Sequence, residues 1–167
     1  MKLGIVMDPI ETINFKKDST LAMMLEAQSK GHEIFYITPD SLFIDSGIAF
    51  ACSSKVEVRD NPTDWFSLED EMIIRLTDLN AILMRQDPPF NSDYIYNTYV
   101  LEMAAREGVN VFNNPRSLRD CNEKVYATEF PQCCTKHIVT SRKDLLTNFV
   151  REFKDTDPQG RVVAEFS

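Results

Sequence analysis

Apolar and polar positions along the chain follow two periods, one typical of buried strands and one typical of amphipathic helices. Apolar runs occupy residues 3–7 and 33–37, and each leads into a turn that contains proline. Between them, Asp18 and Ser19 offer N-cap side chains, apolar side chains recur at helical spacing, and Gly31 offers a C-cap. This order predicts a right-handed strand–helix–strand unit with parallel strands.

The middle of the chain is less regular. Two short β runs at residues 48–51 and 55–58, separated by small polar residues, predict a hairpin-like excursion at the sheet edge. Residues 65–79 mix apolar and acidic side chains, so their structure is ambiguous and part of a helix is one option. A buried strand is predicted at 81–84, a helix after Asn91 or Ser92, and a strand at 109–112. The helix carries an apolar stripe that we expect to face the core, formed by Ile95, Tyr99 and Met103 and flanked by Tyr96, Val100 and Ala104.

A second, smaller unit is predicted from residue 121 onward. A helix from Asn122 to Phe130 comes first, and a short strand at 138–140 follows it. Ser141 then caps a helix, and residues 161–166 form a last apolar run with no later strand to pair with. The buried face of that helix is predicted to comprise Leu145, Leu146, Phe149, Val150 and Phe153. The chain is therefore predicted to be an α/β protein, with a parallel-sheet domain over residues 1–120 and a smaller unit over 121–167.

Composition and charge argue against several classes of function, namely nucleic-acid binding, membrane insertion and metal binding by cysteine and histidine. The 167 residues carry a net charge of -8, which disfavours binding to a nucleic-acid backbone. No stretch approaches the roughly 20 apolar residues of a membrane span, and the N-terminus is typical of a strand and not of a signal peptide. A cytoplasmic protein is expected. The four cysteines and two histidines have no metal-binding spacing, so no metal ligand is predicted among them.

Two polar segments follow predicted strands, where α/β proteins commonly carry their chemistry. They read ILMRQDPPF (residues 82–90) and NPRSLRDCNEK (residues 114–124). With KLGIVMDPI (residues 2–10) and the segment at 16–28, they resemble the N-terminal half of bacterial-type glutathione synthetases, members of the ATP-grasp ligases. The resemblance implies a pre-ATP-grasp (Rossmann-like) domain at residues 1–120, then the start of an ATP-grasp domain.

The resemblance also implies an activity. Such enzymes join γ-glutamylcysteine to glycine through an acyl phosphate, use ATP and Mg²⁺, and form homo-oligomers. Lys124 corresponds to a lysine that helps to hold the nucleotide, although a solvated helix lysine is the plain alternative. Arg85 and Asp87 lie on a strand-end loop and are candidates for substrate binding. The alternative for this pair is an ion pair that braces the loop.

Other parts of the family pattern are missing. Glu165 stands near the position of a lysine that reaches the ATP phosphates in the family, and an acid there would repel them. The family's glycine-rich lid and magnesium ligands lie beyond residue 167, so a truncated chain without ligase activity of its own is expected. Two alternatives remain open: a non-catalytic α/β module for binding or subunit association, and a small-molecule-binding domain unrelated to glutathione.

Overall fold

The computed structural model describes residues 1–121, 123–154 and 164–166, which belong to two compact units, Met1–Arg119 (unit 1) and Asp120–Ser167 (unit 2). The strands are β1 (Lys2–Val6), β2 (Glu33–Ile37), β3 (Leu42–Asp45), β4 (Ile48–Val58), β5 (Phe66–Leu68), β6 (Met72–Arg75), β7 (Ala81–Met84), β8 (Asn110–Phe112), β9 (Ile138–Thr140) and β10 (Ala164–Phe166). The α-helices are α1 (Ser19–Ser29), α2 (Ser92–Arg106), α3 (Pro115–Asp120), α4 (Glu123–Tyr126) and α5 (Lys143–Lys154).

Unit 1 is built on a mixed sheet whose centre is parallel. Its strands run in the order β3-β4-β2-β1-β7-β8, and β5 and β6 also pair with β4. Strand β1 is parallel to both β2 and β7, and β7 is parallel to β8. Strand β4 is antiparallel to all its neighbours. The predicted α/β class with a mostly parallel sheet is confirmed.

Helices α1 and α2 cover opposite faces of this sheet. Alternate side chains of a strand point to opposite faces. Accordingly Ile5 packs in a cluster with Met24 of α1, whereas Val6 packs in a second cluster with Leu101 of α2. All four side chains are 0% exposed. The sheet therefore has two apolar cores, and its central strands are buried on both faces, as expected for parallel strands.

The predicted strand–helix–strand order with parallel strands is confirmed. The side chain of Asp18 accepts a hydrogen bond of 2.7 Å from the backbone N–H of Leu21, which is N-cap geometry. Gly31 has φ of 75°, a left-handed conformation that ends a helix at little steric cost. The parallel register of β1 and β2 pairs Lys2 with Glu33.

Strand β4 corrects the prediction for residues 48–58. The two β runs are one continuous strand, so the break predicted between them is wrong. The hairpin itself joins β3 to β4 and turns through positive φ values at Ser46 and Gly47. The ambiguous residues 65–79 contain β5, β6 and one 3₁₀ turn at Leu76–Asp78, so most of the segment's regular structure is strand and its helical part is a single turn.

The predicted core face of α2 is partly wrong. Tyr96 is 67% exposed and Tyr99 is 47% exposed, although Val100 and Ala104 are buried as expected. The helix is rotated so that polar side chains at two buried positions find hydrogen-bond partners, Asn97 with Gln86 and Thr98 with the carbonyl oxygen of Ile95. The other buried side chains of this helix are Tyr94 and Leu101.

Unit 2 contains a second strand–helix–strand arrangement. Strands β9 and β10 are parallel, with Ala164 opposite Ile138, and α5 connects them along the chain. Residues 164–166, in the apolar run near the end of the chain, therefore pair with an earlier strand, as a strand–helix–strand unit requires.

The helices of unit 2 depart from their predicted limits. Helix α4 ends at Tyr126 and is followed by a 3₁₀ turn at Ala127–Glu129, so the helix predicted to reach Phe130 is shorter. Its predicted cap, Asn122, lies outside the described residues. In α5, Phe149 is buried whereas Leu145 is 42% exposed, so the predicted apolar face is only partly buried. No described helix is long and apolar enough to cross a membrane.

Helix α3 is tied to α2 through Arg119. Its guanidinium donates a hydrogen bond of 3.0 Å to Oγ1 of Thr98, forms an ion pair with Glu102, and lies 4.3 Å from the ring centre of Tyr99. The ion pairs with Arg119 and then Arg106 hold the pKa of Glu102 below its ordinary value. Arg119 therefore stabilises unit 1 from within.

We expect Ile82→Ala to lower the free energy of unfolding by about 2–5 kcal/mol, because this central-strand side chain is 0% exposed and its truncation leaves a cavity. The matched control is Ile73→Ala on β6, where the isoleucine is 67% exposed and a change within about 0.5 kcal/mol is expected. Urea denaturation of both variants measures the difference. Equal losses would contradict the described core.

Glu102→Gln should lower the melting temperature at pH 7, because it removes the charge that pairs with Arg119. A carboxylate with a lowered folded-state pKa stabilises the fold above its ordinary pKa of about 4.3, and this stabilisation disappears as the pH falls through the lowered value. The difference from the unaltered chain should therefore shrink below about pH 4. Glu26→Gln, which breaks a largely exposed pair with Lys30, is the control and should have a smaller effect at pH 7.

Candidate functional site

Strands β1, β7 and β8 end at one edge of the sheet, and polar residues follow each of them. Asp8 comes shortly after β1, Arg85 directly after β7 and Asn113 directly after β8. The first two segments remain paired beyond the strands, because the backbone N–H of Arg85 donates a 2.7 Å hydrogen bond to the carbonyl oxygen of Val6. The carboxyl ends of adjacent parallel strands thus bring three polar loops together, the usual location of sites in open α/β sheets.

Side-chain hydrogen bonds hold these loops in place. Oδ2 of Asp8 accepts a 2.8 Å hydrogen bond from the backbone N–H of Asp87, which joins the loops after β1 and β7. Asn113, with φ of 57°, donates from Nδ2 to the carbonyl oxygen of Met84 at 2.9 Å and so joins β8 to β7. Asn is among the few residues that tolerate this left-handed conformation. Asp8 is therefore a structural brace for the loop that carries Asp87.

A buried tyrosine supports the loop after β1. The hydroxyl oxygen of Tyr36 accepts a hydrogen bond of 3.2 Å from the backbone N–H of Ile10. Burial raises the pKa of Tyr36, so the hydroxyl is protonated at neutral pH. The loop that contains Asp8 is thus fixed from the core side by a neutral group.

Arg85 is held by hydroxyl groups. Its Nε donates to Oγ1 of Thr20 at 3.1 Å and its Nη2 donates to Oγ of Ser19 at 2.9 Å. Thr20 is 4% exposed, so one of these anchors is part of the core. No described carboxylate pairs with Arg85, and the alternative of an Arg85–Asp87 ion pair is wrong.

The position of the Arg85 guanidinium favours an anion next to it. Ser19 and Thr20 begin α1, and a helix N-terminus carries a partial positive charge that attracts anions and disfavours a cation. The arginine therefore gains no stabilisation from the helix dipole and has no acidic partner among the described residues. A planar guanidinium in this state can bind a carboxylate or a phosphate through paired hydrogen bonds.

Asp87 is exposed, and only its backbone is fixed. Its N–H is bonded to Asp8, whereas its carboxylate makes no hydrogen bond or ion pair with any described residue. Pro88 and Pro89 follow and restrict the backbone of the loop. The carboxylate is thus available to accept hydrogen bonds from a ligand that occupies the same loop.

Sequence reasoning missed a second polar feature of this sheet edge. Nδ2 of Asn97, on α2, donates a 3.1 Å hydrogen bond to Oε1 of Gln86, and both side chains line a cavity of about 400 Å³. Asp40, which follows β2, lines the same cavity. The available signal was Asn97 itself, the sixth residue of α2, but the apolar stripe predicted for this helix placed a different face against the core.

The residues that the sequence relates to the nucleotide, Lys124 and Glu165, both belong to unit 2. Lys124 lies in α4, but its side chain is outside the described part of the chain. Glu165 lies on β10 opposite Val139, and its side chain is likewise not described. Among residues 1–121, 123–154 and 164–166, no group of three His, Cys, Asp or Glu residues could hold a metal ion. The donor set of the described residues therefore does not fit a magnesium site.

Comparison with known proteins identifies the family. Residues 1–119 match the family model described as "Prokaryotic glutathione synthetase, N-terminal domain". The chain is 48% identical over 155 residues to the glutathione synthetase of Vibrio parahaemolyticus, a match that covers 93% of this chain and 49% of that protein. It is 42% identical over 167 residues to the glutathione synthetase of Coxiella burnetii, a match that covers 99% of this chain and 52% of that protein. The chain thus spans about half the length of the curated relatives it matches, and it belongs to the prokaryotic glutathione synthetase family.

Proposed function

We propose that this chain supplies the substrate-binding region of an ATP-dependent ligase that forms glutathione from γ-glutamylcysteine and glycine. One observation carries the proposal: the Arg85 guanidinium is anchored at the carboxyl ends of the central strands and has no acidic partner among the described residues. A peptide with two carboxylates is a suitable ligand for such a group. The family membership of residues 1–119 supports the choice of peptide.

The proposed reaction has two steps. A carboxylate oxygen of γ-glutamylcysteine attacks the γ-phosphorus of ATP, so that ADP leaves and an acyl phosphate forms. The amine of glycine then attacks the carbonyl carbon, the C–O bond to phosphate breaks, and the amine loses a proton as the peptide bond forms. We derive no step through Mg²⁺, because the described residues do not fit a site for it.

Within this reaction, the proposed roles follow the charges of the side chains. Arg85 binds a carboxylate of the peptide substrate, and Asp87 accepts hydrogen bonds from the N–H groups of the same substrate. Lys124 contacts a phosphate of the nucleotide. Residues 1–120 correspond in this proposal to the pre-ATP-grasp domain and residues 121–167 to part of the ATP-grasp small subdomain. Assembly into a homo-oligomer is included on the basis of the resemblance.

The 167-residue polypeptide is not expected to complete the ligation, because it corresponds to about half of its relatives. Its contribution is measurable as binding. Substrate affinity, and not turnover, is therefore the quantity that tests the proposed roles.

Arg85→Ala should weaken the binding of γ-glutamylcysteine at least about tenfold, because a charge-assisted hydrogen bond contributes roughly 1.5–3 kcal/mol. Arg85→Lys should recover only part of the loss, since an ammonium cannot reproduce the paired geometry of a guanidinium. Isothermal titration of the purified chain measures both. Arg75→Ala on β6 is the matched control and should leave the affinity unchanged. Equal affinity in the Arg85 variants would contradict the role of Arg85.

Lys124→Gln should weaken the binding of Mg·ATP, because it removes a positive charge proposed to lie against a phosphate. Lys136→Gln is the matched control, since Lys136 is a half-exposed lysine of the same unit that lies near Glu152. Titration of both variants with Mg·ATP gives the comparison. Identical affinities would show that Lys124 is an ordinary solvated lysine, and the nucleotide part of the proposal would then be withdrawn.

A further inference from the structure

The hydrogen bonds that anchor Arg85 occupy one edge of its guanidinium group and leave one end open. A guanidinium has five N–H donors in a planar fork. The Nε–H donates to Oγ1 of Thr20 and one N–H of Nη2 donates to Oγ of Ser19, so the edge that joins Nε to Nη2 is occupied. Nη1 and the second N–H of Nη2 donate to no described residue. A carboxylate that forms paired hydrogen bonds with Arg85 must therefore approach the end of the group, between Nη1 and Nη2.

The buried hydroxyl of Thr20 is not explained by helix α1 itself. Thr20 is 4% exposed, and burying a hydroxyl lowers stability unless the group is hydrogen-bonded. Asp18, and not Thr20, accepts the N-cap hydrogen bond of α1. Among the described residues, the hydrogen bond that involves Oγ1 of Thr20 is the one from Arg85, which lies 65 positions away along the chain. The contact with Arg85 therefore accounts for a threonine at this position.

Both anchors of Arg85 are neutral, and this affects how the arginine can bind a ligand. An aspartate or glutamate anchor would form a stronger, charge-assisted hydrogen bond, but it would also cancel the positive charge of the guanidinium. Hydroxyl groups fix the position of the guanidinium and leave its charge available to an anion. A side chain that is already fixed also loses less conformational entropy when a ligand binds.

We propose that Thr20, together with Ser19, is a positioning residue that holds the Arg85 guanidinium so that its Nη1–Nη2 end binds a carboxylate of the ligand. Thr20 is buried and acts through Arg85, without touching the ligand itself. This inference rests on the proposed function, in which the carboxylate belongs to γ-glutamylcysteine.

The test is a double-mutant cycle on Thr20 and Arg85, measured by isothermal titration of the purified 167-residue chain with γ-glutamylcysteine. Thr20→Val should weaken binding about threefold to tenfold, because it removes one hydrogen bond that fixes the guanidinium. In the Arg85→Ala background, the same substitution should change the affinity by less than about twofold, because no guanidinium remains to be positioned. Thr20→Ser keeps the hydroxyl and should bind nearly as tightly as the unaltered chain.

Thr98→Val is the matched control for a loss of stability. Thr98 is 0% exposed, and its Oγ1 accepts a 3.0 Å hydrogen bond from Arg119, so this substitution also removes a buried hydroxyl that holds an arginine. Thermal unfolding should show that Thr98→Val destabilises the chain at least as much as Thr20→Val does. Its affinity for γ-glutamylcysteine should nevertheless be unchanged, because Arg119 lies outside the candidate site.

The outcomes separate this inference from the proposed function. If Thr20→Val binds as tightly as the unaltered chain, or if Thr98→Val weakens binding equally, the positioning role is overturned while the role of Arg85 stands. If Thr20→Val weakens binding by the same factor with and without Arg85, or if Thr20→Ser is as weak as Thr20→Val, the effect does not depend on the hydrogen bond to Arg85 and the positioning role is again overturned. If Arg85→Ala binds as tightly as the unaltered chain, or if the unaltered chain does not bind the peptide, the proposed function fails and this inference fails with it.

Discussion

The rest of unit 1 depends on the confinement of β1, which is paired on both edges and covered on both faces. Its neighbours are β2 and β7, and apolar side chains of α1 and α2 close the two sides. The packing is tight enough that a Cβ added to Gly4 would lie 2.7 Å from Cδ1 of Leu79. Because β1 is fixed in this way, the backbone that follows it is also held in place. The carbonyl oxygen of Val6 can then accept the hydrogen bond from the N–H of Arg85, and the carboxylate of Asp8 can accept the one from the N–H of Asp87.

Local signals in the sequence were sufficient where a segment's structure is decided by its own residues. Helix α1 is an example, since Asp18 and Gly31 mark its ends and its neighbouring strands are continuous apolar runs. Local signals were insufficient to predict β4, because the small polar residues Ser53 and Ser54 suggested a break in the strand. That strand keeps its alternation through them, with Ala51 packed beneath α2 and Val56 beneath α1, so the pairing with four other strands overrides the local composition.

The candidate site likewise has parts that the sequence predicts and parts that it does not. The loop that carries Arg85 and Asp87 was predictable, because a polar segment after an apolar strand needs only a strand assignment. The contacts of Arg85 were not predictable, because the sequence places its partners Ser19 and Thr20 only at the start of a helix. The rotation of α2 was also hidden, because a buried Asn97 becomes acceptable only when Gln86 stands opposite it. The burial of a polar side chain is hardest to predict from sequence when it depends on a partner that is distant along the chain.

The spacing of these contacts along the chain has a consequence for folding. The hydrogen bond between Arg85 and Thr20 joins residues 65 positions apart, and the one between Asp87 and Asp8 joins residues 79 positions apart. Contacts of such long range require a large loop to close before they contribute any stability, and they slow folding. The pairing of β1 with β7 must therefore form before the candidate site is assembled. Any molecule that contacts both sides of the candidate site would bind only after this long loop has closed, and it would therefore stabilise the folded sheet.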